Sequence, residues 1–433
     1  MRAVEERDAY VNLLLPSLLR ERGITGRDAA FATELTHGTI RRQGSYDAIL
    51  EAVTSRGVAG VDAPVRDVLR LGAHQLLSLR TPSHAAVSTS VDLIRATVGH
   101  RPASFVNAVL RKVARNDFDT WMERVAPAAD TDPIGRLAAI HSHPRWVVEA
   151  FAESLGGTLE QTAALLAADN ESPGVTLVTR PGISGPDDLD GMETSPGRFS
   201  PYAAHLRSGD PGQIEAIRQG RAGVQDEGSQ LVAMALAAAG MTGPDAHWLD
   251  LCAGPGGKAA LLAALASRRG ADLVANEAQP HRADLVEQAL RLATNATVHV
   301  GDGRERHWGQ RAFDRVLVDA PCTGLGALRR RPEARWRRSA TDLPDLCRLQ
   351  RELLDSAADA VRVGGVVAYA TCSPLRAETV EVVQAVMAQR DDLQLLDATA
   401  TLPQVSDLRG PYVQLWPHVH GTDAMFVALL RRI

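Results

Sequence analysis

Lysine is almost missing from this chain. Of 47 basic side chains in 433 residues, only Lys112 and Lys258 are lysines, so 45 are arginines. A lysine inside a motif therefore stands out. Cysteine is scarce as well. Cys252, Cys322, Cys347 and Cys372 are the whole set, and no two stand at a metal-ligand spacing such as CxxC. That pattern gives no reason to expect a metal, and the chain is far too long for a disulfide scaffold. The four are either small buried hydrophobes or reactive thiols. No apolar run approaches the ~20 residues of a membrane span, so no membrane partner is expected. No long repeat and no low-complexity tract interrupts the sequence. The opening stretch, MRAVEERDAYVNLLLPSLLRERG, puts acids before its apolar run and reads as a core-facing helix, not a signal peptide. A soluble, cytoplasmic chain is the expectation. The net charge of −5 supplies no global attraction to polyanions. Any nucleic-acid binding must come from local clusters of arginine.

What is present is a multidomain pattern. Residues 1–130 read as all helical. RDAAFATELTHGTIRRQGSYDAILEAV places Phe31, Leu35, Ile40, Ile49 and Leu50 near the helical period. APVRDVLRLGAHQLLSL does the same with Val65, Val68, Leu69, Leu71, Leu76 and Leu77. APAADTDP, 126–133, reads as a linker. Residues 140–222 mix helical runs, one strand-like run (GVTLVTRP) and loop-rich sequence, which predicts a small α+β domain. Over 223–433, strand-like runs alternate with helices: HWLDLCA, DLVANE, TVHVGD, FDRVLVDAP and GVVAYATCS. That alternation predicts an α/β, Rossmann-like domain with a parallel sheet covered on both faces. DAMFVALLRR is expected as a late antiparallel strand at the end of the sheet.

WLDLCAGPGGKAA reads as strand, glycine turn, helix. Such a turn lets backbone approach a ligand, and the helix N-terminus offers free N–H groups. A P-loop is excluded, because Cys252 replaces its first glycine and Ala259 follows the lysine. A dinucleotide site survives weakly, with Gly254 and Gly256 matching its first pair. The third reading is S-adenosylmethionine. Glu277 ends the next strand, placed for ribose hydroxyls, and Asp302 ends the one after, placed for the adenine amino group. Each acid also suits a helix cap, and these residues alone leave NAD and S-adenosylmethionine both open.

Two further strand-like runs each deliver a cysteine: VLVDAPCTG and VVAYATCSP. Methyl transfer to carbon 5 of a pyrimidine needs such a set. Carbon 5 is a poor nucleophile until a thiolate adds at carbon 6. An acid near N3 and the exocyclic amine steadies the charge that builds on the ring, and a second ionisable group assists release. Asp319, Cys322 and Cys372 fall at strand carboxyl ends, where open parallel sheets bind ligands.

The ordered motifs DLCAGPGGK, DAPCTG and ATCSP resemble those of the NOL1/NOP2/Sun family of RNA cytosine-5 methyltransferases. VQDEGSQLVA and LRRRPEARWR are similar to further blocks of that family, and the helical first third resembles a NusB-like RNA-binding domain. The resemblance spans nearly the whole chain. It implies that Cys372 attacks the base, Cys322 assists release, Asp319 holds the cytosine edge, and Lys258 lies between cofactor and base. It also implies S-adenosylmethionine on Cys252, Ala253, Gly254, Pro255, Gly256, Gly257 and Lys258, with Glu277, Asp302 and Asp319, and Arg282 in support. Cys252 and Cys347 are left as structural. The sequence departs from the family at Gly254, Ala259 and Ala424. The implied partner is 16S rRNA, with no DNA, and a monomer is expected. LRRRPEARWRR, 328–338, adds a candidate RNA clamp: Arg329, Arg330, Arg331, Arg335 and Arg337 on phosphates, with the Trp336 indole stacking on a base or packing into the domain. RPASFVNAVLRKVAR, 101–115, offers a second basic face.

Overall fold

The helices expected in the first third are present. In the computed structural model, helices occupy Gly26–Arg41, Gln43–Val53, Ala63–Leu77, Ser83–Thr97, Ala103–Val113 and Phe118–Val125. The structure describes all residues except 7–9, 56, 80, 190–191 and 306–312. Tyr46, Ile49, Leu50, Leu69, Ile94, Val106 and Leu110 fill the helical core. The Tyr46 hydroxyl is satisfied there by His74 Nδ1 at 2.8 Å and Ser78 Oγ at 2.7 Å. Phe31, expected in the core, is instead 50% exposed. It lies in the second turn of its helix, ahead of the residues that bury, Gly38 to Arg41.

Contacts divide the chain into two units, Met1–Glu171 with Leu328–Arg338, and Ser172–Ala327 with Ser339–Ile433. These borders differ from the expected ones at 130 and 140. Three more helices, Pro133–His141, Arg145–Ser154 and Leu159–Ala168, belong to the first unit. Polar contacts tie them in. Ser45 Oγ donates to Ala139 O at 2.6 Å, Gly44 N to Ser142 Oγ at 2.9 Å, and Asn170 Nδ2 to His141 O at 2.7 Å.

The arginine-rich segment 328–338 lies among these helices as a strap, which corrects the expected clamp at Arg329 and Arg335. Arg335 is fully buried and its guanidinium donates to Arg41 O, Ser142 O, Asn170 Oδ1 and Asp169 O at 2.9–3.2 Å. The Arg329 side chain is buried, and its carbonyl accepts from Arg41 Nη2 at 3.2 Å. The Trp336 indole lies against Gly44, with its N–H directed at Ile40 O at 3.4 Å. Arg337 donates to Val4 O at 3.0 Å, and both it and Arg331 stack on the Tyr10 ring. A planar fork with five donors suits buried carbonyls as well as phosphates. Sequence alone does not reveal which acceptors it meets.

The second unit holds two sheets. The smaller contains β1 (Val175–Thr179), β2 (Thr194–Pro196), β3 (Ala203–Leu206) and β4 (Ala222–Val224), antiparallel in the order β2-β3-β1-β4. Pro196 sits on the edge strand, where a missing N–H does no harm. Among the described residues the larger sheet has eight strands: β5 (His247–Asp250), β6 (Asp272–Glu277), β7 (Ala296–Val300), β8 (Phe313–Asp319), β9 (Val361–Thr371), β10 (Leu393–Leu396), β11 (Val413–Gln414) and β12 (Phe426–Arg432). Their order is β10-β12-β9-β8-β5-β6-β7, with β11 paired to β12. β5 to β9 are mutually parallel, as the βα alternation predicted. The late strand β12 is antiparallel, but it lies between β9 and β10, not at the edge. The chain order reverses between β5 and β8, which opens a crevice at their carboxyl ends. No helix among the described residues is long and apolar enough to cross a membrane.

Candidate active site

Four strands of the large sheet lead into the residues that the sequence singled out. β5 ends at Asp250 and runs into the glycine loop, β6 ends at Glu277, β8 at Asp319, and β9 at Thr371, just before Cys372. The register pairs Asp319 with Ala370, so the two cysteine-bearing loops leave the sheet side by side. Backbone bonds then hold them together: Gly326 N donates to Cys372 O at 2.9 Å and Ala424 N to Gly326 O at 2.8 Å. A Cβ on Gly326 would lie 2.2 Å from Ala424 O and 2.8 Å from Cys372 O, so only glycine permits this approach. Ala424, a departure from the family pattern, is buried in that contact.

The result is a close pair of thiols. Cys322 Sγ and Cys372 Sγ are 3.4 Å apart. Nearby, Lys258 Nζ donates to Asp319 Oδ2 at 2.9 Å. Burial pulls the Lys258 ammonium down, but Asp319, with help from Cys372 and Asp250, more than offsets it and holds the group above its ordinary value. The hydrogen bond to Cys372, followed by burial, pushes the Cys322 thiol well up. Of the two, Cys372 is the one that meets the lysine's charge. Cys252 and Cys347 stand apart. Burial pushes both thiols up, Cys347 to about 11, and Cys347 Sγ is spent on Ala377 O at 3.2 Å.

The glycine loop takes its shape from Gly256, whose φ of 103° precedes the helix Gly257–Ser267. A Cβ on Gly256 would meet Ala289 Cβ at 2.6 Å, so loop and next helix touch directly. Gly254 is gripped from two sides: its N–H donates to Glu277 Oε2 at 3.0 Å, and its carbonyl accepts from Arg282 Nη2 at 2.6 Å. A Cβ there would lie 2.1 Å from Glu277 Oε2. Glycine in place of the family's alanine therefore lets Glu277 close onto the loop. Ala259, the other departure, is fully buried and packs its methyl group into the core. Asp302 pairs with Arg304 and accepts from its backbone N–H at 3.0 Å, a capping role beside the one expected for it. A tight loop, a buried acid across from it and a helix N-terminus fit a nucleoside-bearing cofactor at this edge of the sheet.

Two groups escaped the sequence reading. One is Glu378, fully buried beneath both thiol loops. The other is Asp250, also fully buried. Burial, then the Asp319 carboxylate, pushes Asp250 up to about 8, against the pull of Lys258 and the Cys252 amide. Its position at a strand end was visible, but its burial was not. The raised value has a consequence for stability. The unfolded chain loses this proton near pH 4 and the folded chain near pH 8, so Asp250 favours folding less and less as pH climbs through that window. Asp250→Asn, which cannot ionise, is expected to gain stability relative to the parent as pH rises from about 5 to about 8.5. Urea unfolding at a series of pH values measures this. A difference that stays flat with pH would contradict the assignment.

A loop at β5 opposite an acid at β6, beside a crevice holding a thiol pair, fits a methyltransferase that uses S-adenosylmethionine. Comparison with known proteins narrows this. The family model for the 16S rRNA methyltransferases RsmB/F matches residues 239–431, and that of the NusB family matches residues 1–115. A putative methyltransferase of Mycobacterium tuberculosis (strain ATCC 25618 / H37Rv) is 52% identical over all of this chain and 95% of its own length. The probable ribosomal RNA small subunit methyltransferase B of Bacillus subtilis (strain 168) is 30% identical over 99% of this chain and 96% of its own length. The chain belongs to the RsmB/F family of 16S rRNA methyltransferases. Among solved structures, PH0851 shares the fold at a TM-score of 0.77 with 21% identity, over 96% of this chain and 93% of its own. NSun6 from Pyrococcus horikoshii, solved with SFG, does so at 0.56 with 17% identity, over 67% of this chain and 98% of its own.

Proposed function

We propose that this chain methylates carbon 5 of a cytosine in 16S rRNA through a covalent bond between Cys372 and carbon 6 of the base. The observation that carries the reading is the 3.4 Å approach of the two sulfurs beside the Lys258–Asp319 pair. S-Adenosylmethionine supplies an electrophilic methyl group. Cys372, as thiolate, adds to carbon 6, and the electron pair of the ring double bond moves to carbon 5, which would take the methyl group as its bond to the cofactor's sulfonium sulfur breaks and S-adenosylhomocysteine leaves. Asp319 accepts from the exocyclic amine and from N3 when that is protonated, which steadies the charged ring. Release needs the carbon-5 proton to pass to a base, for which the Cys322 sulfur, once deprotonated, is placed. The electron pair left on carbon 5 restores the ring double bond, the carbon–sulfur bond breaks, and Cys372 recovers its thiolate. Cys322 acts in this second half, within reach of the same ring.

Two features support Cys372 as the attacking sulfur: it meets the charge of Lys258, and the neighbouring Cys322 thiol is pushed well up, so negative charge is favoured on Cys372 of the two. The target base must be splayed from its neighbours to enter such a crevice, which is easiest in a loop. Arg330 and Arg331, which keep solvent exposure, and the basic face at 101–115 are the surfaces proposed for phosphates.

The direct test incubates the protein with methyl-labelled S-adenosylmethionine and unmethylated 16S rRNA. Label in 5-methylcytidine is expected; no transfer, or label on another base, would overturn the reading. The cofactor site is tested separately. Glu277→Ala removes a buried charge-assisted acceptor and should raise the dissociation constant for S-adenosylmethionine about 10- to 100-fold by calorimetry. An unchanged constant would remove Glu277 from that site.

A further inference from the structure

Glu378 sits in the short turn Arg376–Glu378, six residues after Cys372, and none of it reaches solvent. Buried carboxylates are costly unless fully paired. Among the described residues this one is met by hydrogen-bond donors and not by a cation. Oε1 accepts from Thr323 N at 2.8 Å and Gln350 Nε2 at 3.1 Å. Oε2 accepts from Thr323 Oγ1 at 2.6 Å and Ser373 Oγ at 2.5 Å. Thr323 follows Cys322 and Ser373 follows Cys372. One carboxylate therefore holds the residue after each thiol. The second bond of Gln350 Nε2, to Pro321 O at 2.9 Å, secures the residue before Cys322 as well. Tyr369 fixes the turn from below, donating its hydroxyl proton to Glu378 O at 2.8 Å.

We propose that Glu378 is the positioning residue for both thiols: by clamping Thr323 and Ser373 to one carboxylate, it sets the spacing between Cys322 and Cys372. This deepens the reading of those cysteines as release group and nucleophile. The network joins two loops that leave different strands, where loop freedom would otherwise let the sulfurs part. It also places a negative charge beneath Cys322, which adds to the bias that keeps the proton on that sulfur.

The test does not need RNA, so it stands apart from the fate of the proposed reaction. Phenylarsine oxide bonds two thiols at once, with loss of one water, only where the sulfurs are close. The intact protein should bind one equivalent at the pair. Glu378→Ala should weaken that capture roughly tenfold or more, because a pre-set chelate becomes a loose one. Glu378→Gln keeps the shape, and its amide can still meet the same four groups, so capture should survive. Its lost charge should appear as an earlier onset of Cys322 ionisation, followed by ultraviolet thiolate absorbance against pH. A folded alanine variant that captures the arsenical as tightly as the parent would overturn the proposal. A glutamine variant with lost capture or an unmoved titration would do so too, and it decides the matter even if the alanine variant fails to fold.

Discussion

Cys372→Ser should abolish methyl transfer, whereas Cys322→Ala should leave the protein joined to its RNA. The first substitution removes the sulfur proposed as the attacking thiolate. A serine hydroxyl beside Lys258 stays protonated at neutral pH, and a loss of roughly 10⁴-fold or more is expected. The second leaves Cys372 and Lys258 intact, so addition to carbon 6 still occurs. What fails is the step that breaks the bond, slowed by about 10²- to 10⁴-fold. Gel mobility of the protein with RNA, before and after nuclease, separates the outcomes. The 3.4 Å spacing makes these predictions sharp, because it leaves both sulfurs within reach of one ring. A Cys372→Ser variant that accumulates adduct would show the two roles to be exchanged.

Arg335→Met should cost the helical unit about 3–5 kcal/mol, a large share of the stability of an ordinary domain. Methionine fills much of the volume but donates nothing. Three backbone carbonyls and Asn170 Oδ1, all beside the strap, would lose a charge-assisted partner in the interior. The loss should fall on the transition of the helical unit, read by helical circular dichroism in urea. Affinity for S-adenosylmethionine should hold, because the glycine loop and Glu277 belong to the other unit. An unchanged unfolding curve would mean that the strap is not a structural part of that unit.

The strap also marks where sequence reading stopped. Six arginines and a tryptophan in eleven residues look like a surface for phosphate, and nothing local says otherwise. Their carbonyl acceptors come from helices hundreds of residues earlier in the chain, a contact that no spacing rule can reveal. Phe31 shows the same limit on a smaller scale: its spacing suited the core, yet its turn lies outside it. The α/β half was more legible. Five parallel strands follow from alternation alone, and Asp319, Cys322 and Cys372 met in the crevice because strand ends share an address in such sheets. Which sulfur attacks was not legible in the residues themselves. Its physical support is the Lys258 charge beside Cys372 and the upward push on the Cys322 thiol, both products of the fold. Glu378 was missed because an acid in a turn looks solvated until both thiol loops are seen to close over it.

The central claim is that Cys372 bonds carbon 6 of the base. RNA carrying 5-fluorocytosine at the target holds that bond, because fluorine cannot leave as a proton does. Mass spectrometry of the digested adduct then reads which peptide carries the nucleotide. The account predicts the peptide that contains Cys372, whether or not Cys322 is present. A nucleotide on Cys322, or no adduct from a protein that still binds S-adenosylmethionine and RNA, would contradict it.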